Sequence, residues 1–228
     1  MRLVSAGPLF FFVFLCLWAG AIPGCAAAPD QAPVRLHPAV TVERGSRELR
    51  VGARVSCTRG FLEQVACGKG SREHESLLVI DAPASVVHAG LLAIGLRPGV
   101  PGSWKEASGG TVELHAPTGP EVQVLVVVPG GAAPVPVADW LRDERGSEAA
   151  APRFVFAGSR FVPGPAGDRY LADESGSVVG LVTFGDETVA LCEVLPDRVG
   201  VEPAHFTART ASMPPEGTPV TLVFRAVP

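Results

Sequence analysis

The sequence predicts an α+β domain, mainly antiparallel β-sheet with one principal helix (83–96) and one short helix (137–142). Three observations predict it. Valine-rich or alternating apolar runs recur along the chain between Gly and Pro. One segment repeats its apolar residues with a clear helical period. Hydrophobic residues make up 47% of the chain, enough for a core and too many for a disordered polypeptide. The 26 Gly and 22 Pro stop just short of a low-complexity composition.

In chain order, strands are expected over 47–56, 61–66 and 76–80. The principal helix follows: Asp81 as its cap, Pro83 in its first turn, Val87, Leu91 and Ile94 on one face, and Gly95 ending it. A strand over 122–128 is bounded by Gly119-Pro120 and Pro129-Gly130-Gly131. The Gly/Pro/Ala-rich stretch 129–136 is read as a loop, 137–142 as the short helix and 142–152 as a surface excursion. A strand is expected at 154–156. The runs 178–184 and 188–194 flank Gly185-Asp186-Glu187, a hairpin signal. Val220, Leu222 and Phe224 alternate with Thr221, Val223 and Arg225, the period of a strand. No repeat and no second linker interrupts the chain, so 36–228 is read as one domain.

The N-terminus reads as an address. After Arg2, the apolar run from Leu9 to Ile22 is 14 residues long, the length of a signal-peptide core. That is short of the ~20 residues a membrane-spanning helix needs. Ile22-Pro23-Gly24-Cys25 resembles a bacterial lipobox, in which the cysteine becomes the lipidated first residue. Cleavage after Ala26-Ala27-Ala28 is the alternative. Residues 1–24 are thus expected to be a signal peptide and 25–35 a lipid-anchored Pro/Ala tether. Either route places the domain outside the cytoplasm, in the cell envelope or secreted. Two lysines, Lys69 and Lys105, and a net charge of −4 argue against a nucleic-acid surface.

Cys57 and Cys67 frame nine residues before Glu73-His74-Glu75-Ser76, and His88-Ala89-Gly90-Leu91-Leu92-Ala93-Ile94-Gly95 lies just beyond. With Val137-Ala138-Asp139-Trp140, Phe154-Val155-Phe156-Ala157-Gly158-Ser159 and Gly217-Thr218-Pro219-Val220, this order resembles the YdjY-like domain family over roughly 40–227. The resemblance implies an extracytoplasmic bacterial protein and supplies no established activity. A ferredoxin-like label attached to some members gains nothing here. An iron–sulfur cluster takes four cysteine thiolates, and only Cys57, Cys67 and Cys192 remain after Cys25.

An oxidising compartment makes a Cys57–Cys67 disulfide the leading reading. Free thiols and a pairing with Cys192 stay open, because a tight turn at Thr58-Arg59-Gly60 would hold the two cysteines beyond bridging distance. His74, Glu75, Ser76 and His88 form the candidate ligand site. On a strand His74 and Ser76 would share one face and Glu75 the other, which favours a structural role. Ser159 lacks the Gly-x-Ser-x-Gly frame of a nucleophile elbow. Trp104 and Trp140 are read as core or loop anchors, and His37, His115 and His205 as surface residues. The expectation is an envelope-tethered module without catalysis, cofactor or metal, which binds the membrane through Cys25 and an envelope protein or small ligand through its domain. The alternatives are a metal-dependent enzyme, such as a hydrolase, using His74, Glu75 and His88, and a redox protein cycling Cys57 and Cys67.

Overall fold

A computed structural model describes residues 32–131, 133–146, 150–165, 167–198 and 200–227. The expected signal peptide, Cys25 and the tether up to residue 31 lie outside the described residues, as do 147–149 of the expected excursion.

Eight strands carry the architecture: β1 (Glu48–Val55), β2 (Gln64–Gly68), β3 (Ser76–Ile80), β4 (Glu121–Val127), β5 (Phe154–Val155), β6 (Ser177–Gly180), β7 (Ala190–Leu191) and β8 (Pro219–Ala226). They are neighbours in the order β6-β2-β3-β1-β8-β4-β5-β7, the main path of an 11-stranded sheet. Most contacts are antiparallel, and β2 runs parallel to β3. The sheet curls until its ends meet. Thr188 N–H donates to Ser177 O at 3.1 Å and Val189 N–H to Val178 O at 2.9 Å, while Gly180 N–H donates back to Val189 O at 2.9 Å. Val179 and Val189 thereby form a parallel bridge, and the sheet becomes a nearly closed barrel.

The alternation read from sequence explains how the barrel fills. Leu49, Val51, Ala53 and Val55 of β1 face inward with Val220, Leu222 and Phe224 of β8 and Val122, Val124 and Val126 of β4, all buried. The outward residues of β1 and β8 are charged where they meet solvent. Glu48, itself buried, accepts from Arg50 Nη1 at 3.2 Å and from Arg225 Nε at 3.0 Å.

Two helices are present among the described residues: α1 (Ala84–Ala93) and α2 (Leu171–Ser175). Helix α1 lies against the barrel with Val87, Leu91 and Ile94 buried, the face its periodicity predicted. Gly90 allows the approach, since a Cβ there would sit 2.4 Å from Leu49 Cδ1. The expected cap is corrected. Pro83 occupies the N-cap position, Asp81 is exposed beside Lys69, and Asp173 of α2 accepts the Ser85 N–H at 2.8 Å.

The α+β expectation is overturned. The structure is mostly β, 39% strand against 13% helix, and among the described residues only one helix reaches seven residues. Each helical expectation shrank for a local reason. Pro83 has an extended ψ of 143°, and Ile94 already lies outside helical geometry, so 83–96 becomes Ala84–Ala93. The segment 137–142 makes one 3-10 turn, Val137–Trp140, and then runs on as the strand Leu141–Asp143, paired with Phe206–Ala208. The expected hairpin across Gly185-Asp186-Glu187 is replaced by the parallel closure, because the loop turns the chain back alongside β6 instead of antiparallel to it. A hairpin that the sequence reading passed over, Ser103–Glu106 with Val112–His115, projects from the barrel and is anchored by Trp104, whose indole N–H donates to Thr183 O and Asp197 Oδ1.

Leu91 is fully buried between α1 and the barrel. Leu91→Ala is expected to cost about 2–5 kcal/mol in equilibrium denaturation, the range for a truncated core leucine. A loss under about 0.5 kcal/mol, the range of surface substitutions, would mean the helix does not pack on this face.

Candidate functional site

The Glu73-His74-Glu75-Ser76 run is not a strand until its last residue. The turn at Gly68–Ser71 sends the chain into a 3-10 helix, Glu73–Glu75, and β3 begins at Ser76. His74 projects outward with its side chain 81% exposed, and its Nε2 lies 3.7 Å from Glu75 Oε2. Ser76 is fully buried and its hydroxyl donates to Arg72 O at 2.7 Å, which ties the turn to the strand. Glu75 instead faces Glu63. Burial, the hydrogen bond between the two carboxyls and their repulsion push the Glu63 carboxyl up to about 7, with Arg72 opposing. Arg72 pairs with Glu63 at 3.6 Å and lays its guanidinium 3.6 Å from the centre of the Phe184 ring.

His88 occupies a different setting. It lies on α1, buried, with Nδ1 3.0 Å from the Tyr170 hydroxyl. That hydroxyl lies 3.1 Å from Thr188 Oγ1, so a chain of hydrogen bonds runs from α1 to the closing segment. Phe156, Phe161 and Tyr170 meet the imidazole edge-on at centroid distances of 4.9, 5.9 and 5.3 Å. Burial lowers the His88 pKa, so the imidazole is neutral near pH 7, and burial raises that of Tyr170. Ser159 borders this cluster in a left-handed conformation, φ +53°. That conformation costs about 1–2 kcal/mol for a residue with a Cβ. Hydrogen bonds offset it: Ser159 N–H donates to Glu187 O at 2.9 Å, and Ser159 Oγ accepts from Ala172 N–H at 3.2 Å.

His74, Glu75, Ser76 and His88 therefore do not form one site. His74 faces solvent, Glu75 turns to Glu63, Ser76 to its own turn and His88 to Tyr170. Among the described residues no group of three or more His, Cys, Asp or Glu side chains is placed to hold a metal ion.

The Cys57–Cys67 disulfide is also corrected: Cys57, Cys67 and Cys192 are free thiols. Cys57 N–H donates to Ser76 O, and Ser76 pairs with Gln64, three residues before Cys67 along β2. Three strand residues span ~10 Å, beyond the ~7 Å that a bridge allows. Cys67 is fully buried, and burial pushes its thiol up against the hydrogen bonds of Ser76 and Ser71. His205, read as a surface residue, is buried at 9% exposure with Nε2 2.8 Å from Glu202 Oε1.

The residues that organise this region went largely unread in the sequence. Tyr170, the chain's single tyrosine, was the one compositional clue. Glu187 was read only as part of a turn. It is 1% exposed. Its Oε1 accepts the N–H groups of Phe184 and Gly185, and its buried Oε2 has no partner. Burial pushes its carboxyl up to about 7. Gly180 makes room for it, since a Cβ there would lie 2.6 Å from Glu187 Cγ. Gln64, the β2 partner of Gly180, is fully buried and its amide atoms have no hydrogen-bond partner.

Searches of the curated proteins and of the solved structures found no match. The YdjY domain model matches residues 40–225, which include β1 through most of β8, α1 with His88, and the Tyr170 and Glu187 segments, so the chain belongs to the YdjY domain family.

Proposed function

We propose that this YdjY domain is a binding module without catalysis of its own, tethered in the bacterial cell envelope, facing the periplasm, by lipid on Cys25 and presenting its barrel to an envelope protein or small ligand. The observation that carries the reading is the dispersal of the chemically capable groups. A metal-dependent reaction through His74, Glu75 and His88 needs convergence, and His88 is buried against Tyr170, apart from the exposed His74 and its neighbour Glu75. A redox cycle through Cys57 and Cys67 needs an exposed thiol of lowered pKa close to its partner, and Cys67 is enclosed with its pKa raised. His88 and Tyr170 spend their polar atoms on each other and on Thr188, as buried structural groups do.

The membrane placement is supported by the apolar run from Leu9 to Ile22 and the Ile22-Pro23-Gly24-Cys25 sequence. No helix among the described residues is long and apolar enough to cross a membrane. Two or three acyl chains on one cysteine anchor stably, since each buried methylene contributes about 0.8 kcal/mol.

Intact-mass analysis of protein extracted from its native host is expected to show a diacyl or triacyl adduct on Cys25. Cys25→Ser is expected to release a folded domain from the membrane fraction. An unmodified chain beginning at Pro29 would refute lipidation and leave simple secretion.

Binding and catalysis separate in a second measurement. His88→Ala removes a buried partner of Tyr170 and is expected to cost about 1–3 kcal/mol, a fall in Tm of roughly 2–12 °C. His74→Ala is expected to stay within about 0.5 kcal/mol of the parent. Elemental analysis of the parent is expected to show no stoichiometric zinc or iron. One equivalent of tightly held metal, lost from both variants while the fold survives, would favour the enzyme reading instead.

A further inference from the structure

The loop 181–188 that brings the sheet's ends together carries a carboxyl group at its buried side. Glu187 is 1% exposed, one of its oxygens accepts the N–H groups of Phe184 and Gly185, and the other has no partner. Its backbone holds the segment that follows β5, because Glu187 O accepts the Ser159 N–H at 2.9 Å. Thr188 and Val189, the residues immediately after it, donate the closing hydrogen bonds to β6. We propose that Glu187 is a proton-operated latch on the barrel: the neutral carboxyl keeps the closing loop shut, and the ionised carboxylate lets it open.

The physical asymmetry is local. Burial favours the neutral carboxyl and outweighs the Phe184 and Gly185 N–H groups, which favour the carboxylate. Ionisation places charge on a buried carboxylate whose second oxygen has no protein donor, a costly state in a protein interior. The groups facing the loop offer little compensation. Asp186, its neighbour, is of like charge and opposes ionisation. Tyr170, on the strand Arg169–Tyr170 that pairs with Phe161–Val162, and His88 from α1 are both neutral near pH 7. Gln64 from β2 is uncharged. On the outer side Glu63 and Glu75 form the second carboxyl pair, flanked by Arg72 and Asp197. Arg160, an exposed residue, comes within 3.5 Å of a Cβ position at Gly185, on the solvent side of the loop. Opening the loop hydrates Glu187 and relieves the mismatch. It also breaks the Thr188, Val189 and Gly180 hydrogen bonds, which turns the barrel into an open sheet with β6 and β7 as free edges.

The sign follows from linkage. The closed state holds the Glu187 proton to about pH 7, whereas a hydrated glutamate releases it near 4.5. Closure is therefore strongest below the lower value, weakens as pH rises between the two, and is constant above the higher one. One proton per opening event corresponds to a tenfold rise in the opening constant per pH unit across that window.

Hydrogen exchange of the Gly180, Thr188 and Val189 amides, corrected for intrinsic exchange, reads this directly. In the parent protein their protection is expected to fall about tenfold per pH unit between roughly pH 5 and 7 and then level off. Glu187→Gln is expected to remove the slope. Glu63→Gln is expected to retain it, which separates the latch from the carboxyl pair titrating in the same range. The carboxyl 13C titration of Glu187 in the parent protein gives a test that needs no variant and should have its midpoint near neutrality. Four results overturn the proposal: pH-independent protection in the parent, a slope that survives Glu187→Gln, a slope abolished by Glu63→Gln, or a Glu187 midpoint near 4.5.

Discussion

The structure depends on closing a sheet whose last two strands are almost too short to hold it. β5 and β7 contribute two residues each, and β6 meets the closing segment through a single parallel bridge. Short strands make a weak seam unless their neighbours fix the chain that carries them. Here the fixing comes from side chains behind the seam. Glu187 binds the loop's own amides, Gly180 leaves space for its stem, and Thr188 takes part in the hydrogen-bond chain from Tyr170 to His88. Helix α1 is thus coupled to the closure by more than apolar contact. It packs on β1 through Gly90 and Leu49, and reaches the far end of the sheet path through His88.

The same coupling explains why the polar residues of this fold look chemical in sequence and structural in space. Histidine, tyrosine, serine and threonine are suited to catalysis when one of their polar atoms points at a substrate. Around His88, the atoms of Tyr170, Thr188 and Ser159 point at one another or at the backbone. Buried groups that are paired this way contribute order at modest net energy, and the penalty falls on whichever one loses its partner. Ser159 shows the balance well. Its left-handed backbone is unfavourable, and it persists because its N–H, its hydroxyl and the neighbouring segment all converge on that geometry.

Local patterns were legible and long-range ones were not. The alternation of β8, the valines of β4 and the buried face of α1 follow from periods of two and 3.6, which a sequence displays directly. The cap of α1 was misplaced because Asp81 is adjacent in sequence, while Asp173, the residue that bonds Ser85, is 88 positions away. The hairpin signal at Gly185-Asp186-Glu187 identified a turn correctly and its partner wrongly, since strand direction is decided by where the rest of the sheet has gone. Cys57 and Cys67 looked paired on compartment alone, and the parallel register of β2 with β3 separates them. The His88–Tyr170–Thr188 chain had no signature as a chain, for its three members come from separate segments far apart in sequence.

Glu187 carries this reasoning one step further. A buried carboxyl with an orphaned oxygen is a poor choice for stability alone, because an apolar residue of similar size would avoid the desolvation. An apolar residue, however, could not accept the Phe184 and Gly185 amides, which would then be left unpaired inside the loop. Glutamine could accept them without carrying charge at any pH. The presence of glutamate at this position therefore selects between two arrangements of equal shape and different response to protons. The loop it stabilises is the one that joins β6 to β7. The sensitivity is thus placed at the seam, away from β1, β8 and β4, whose long registers hold the rest of the sheet together.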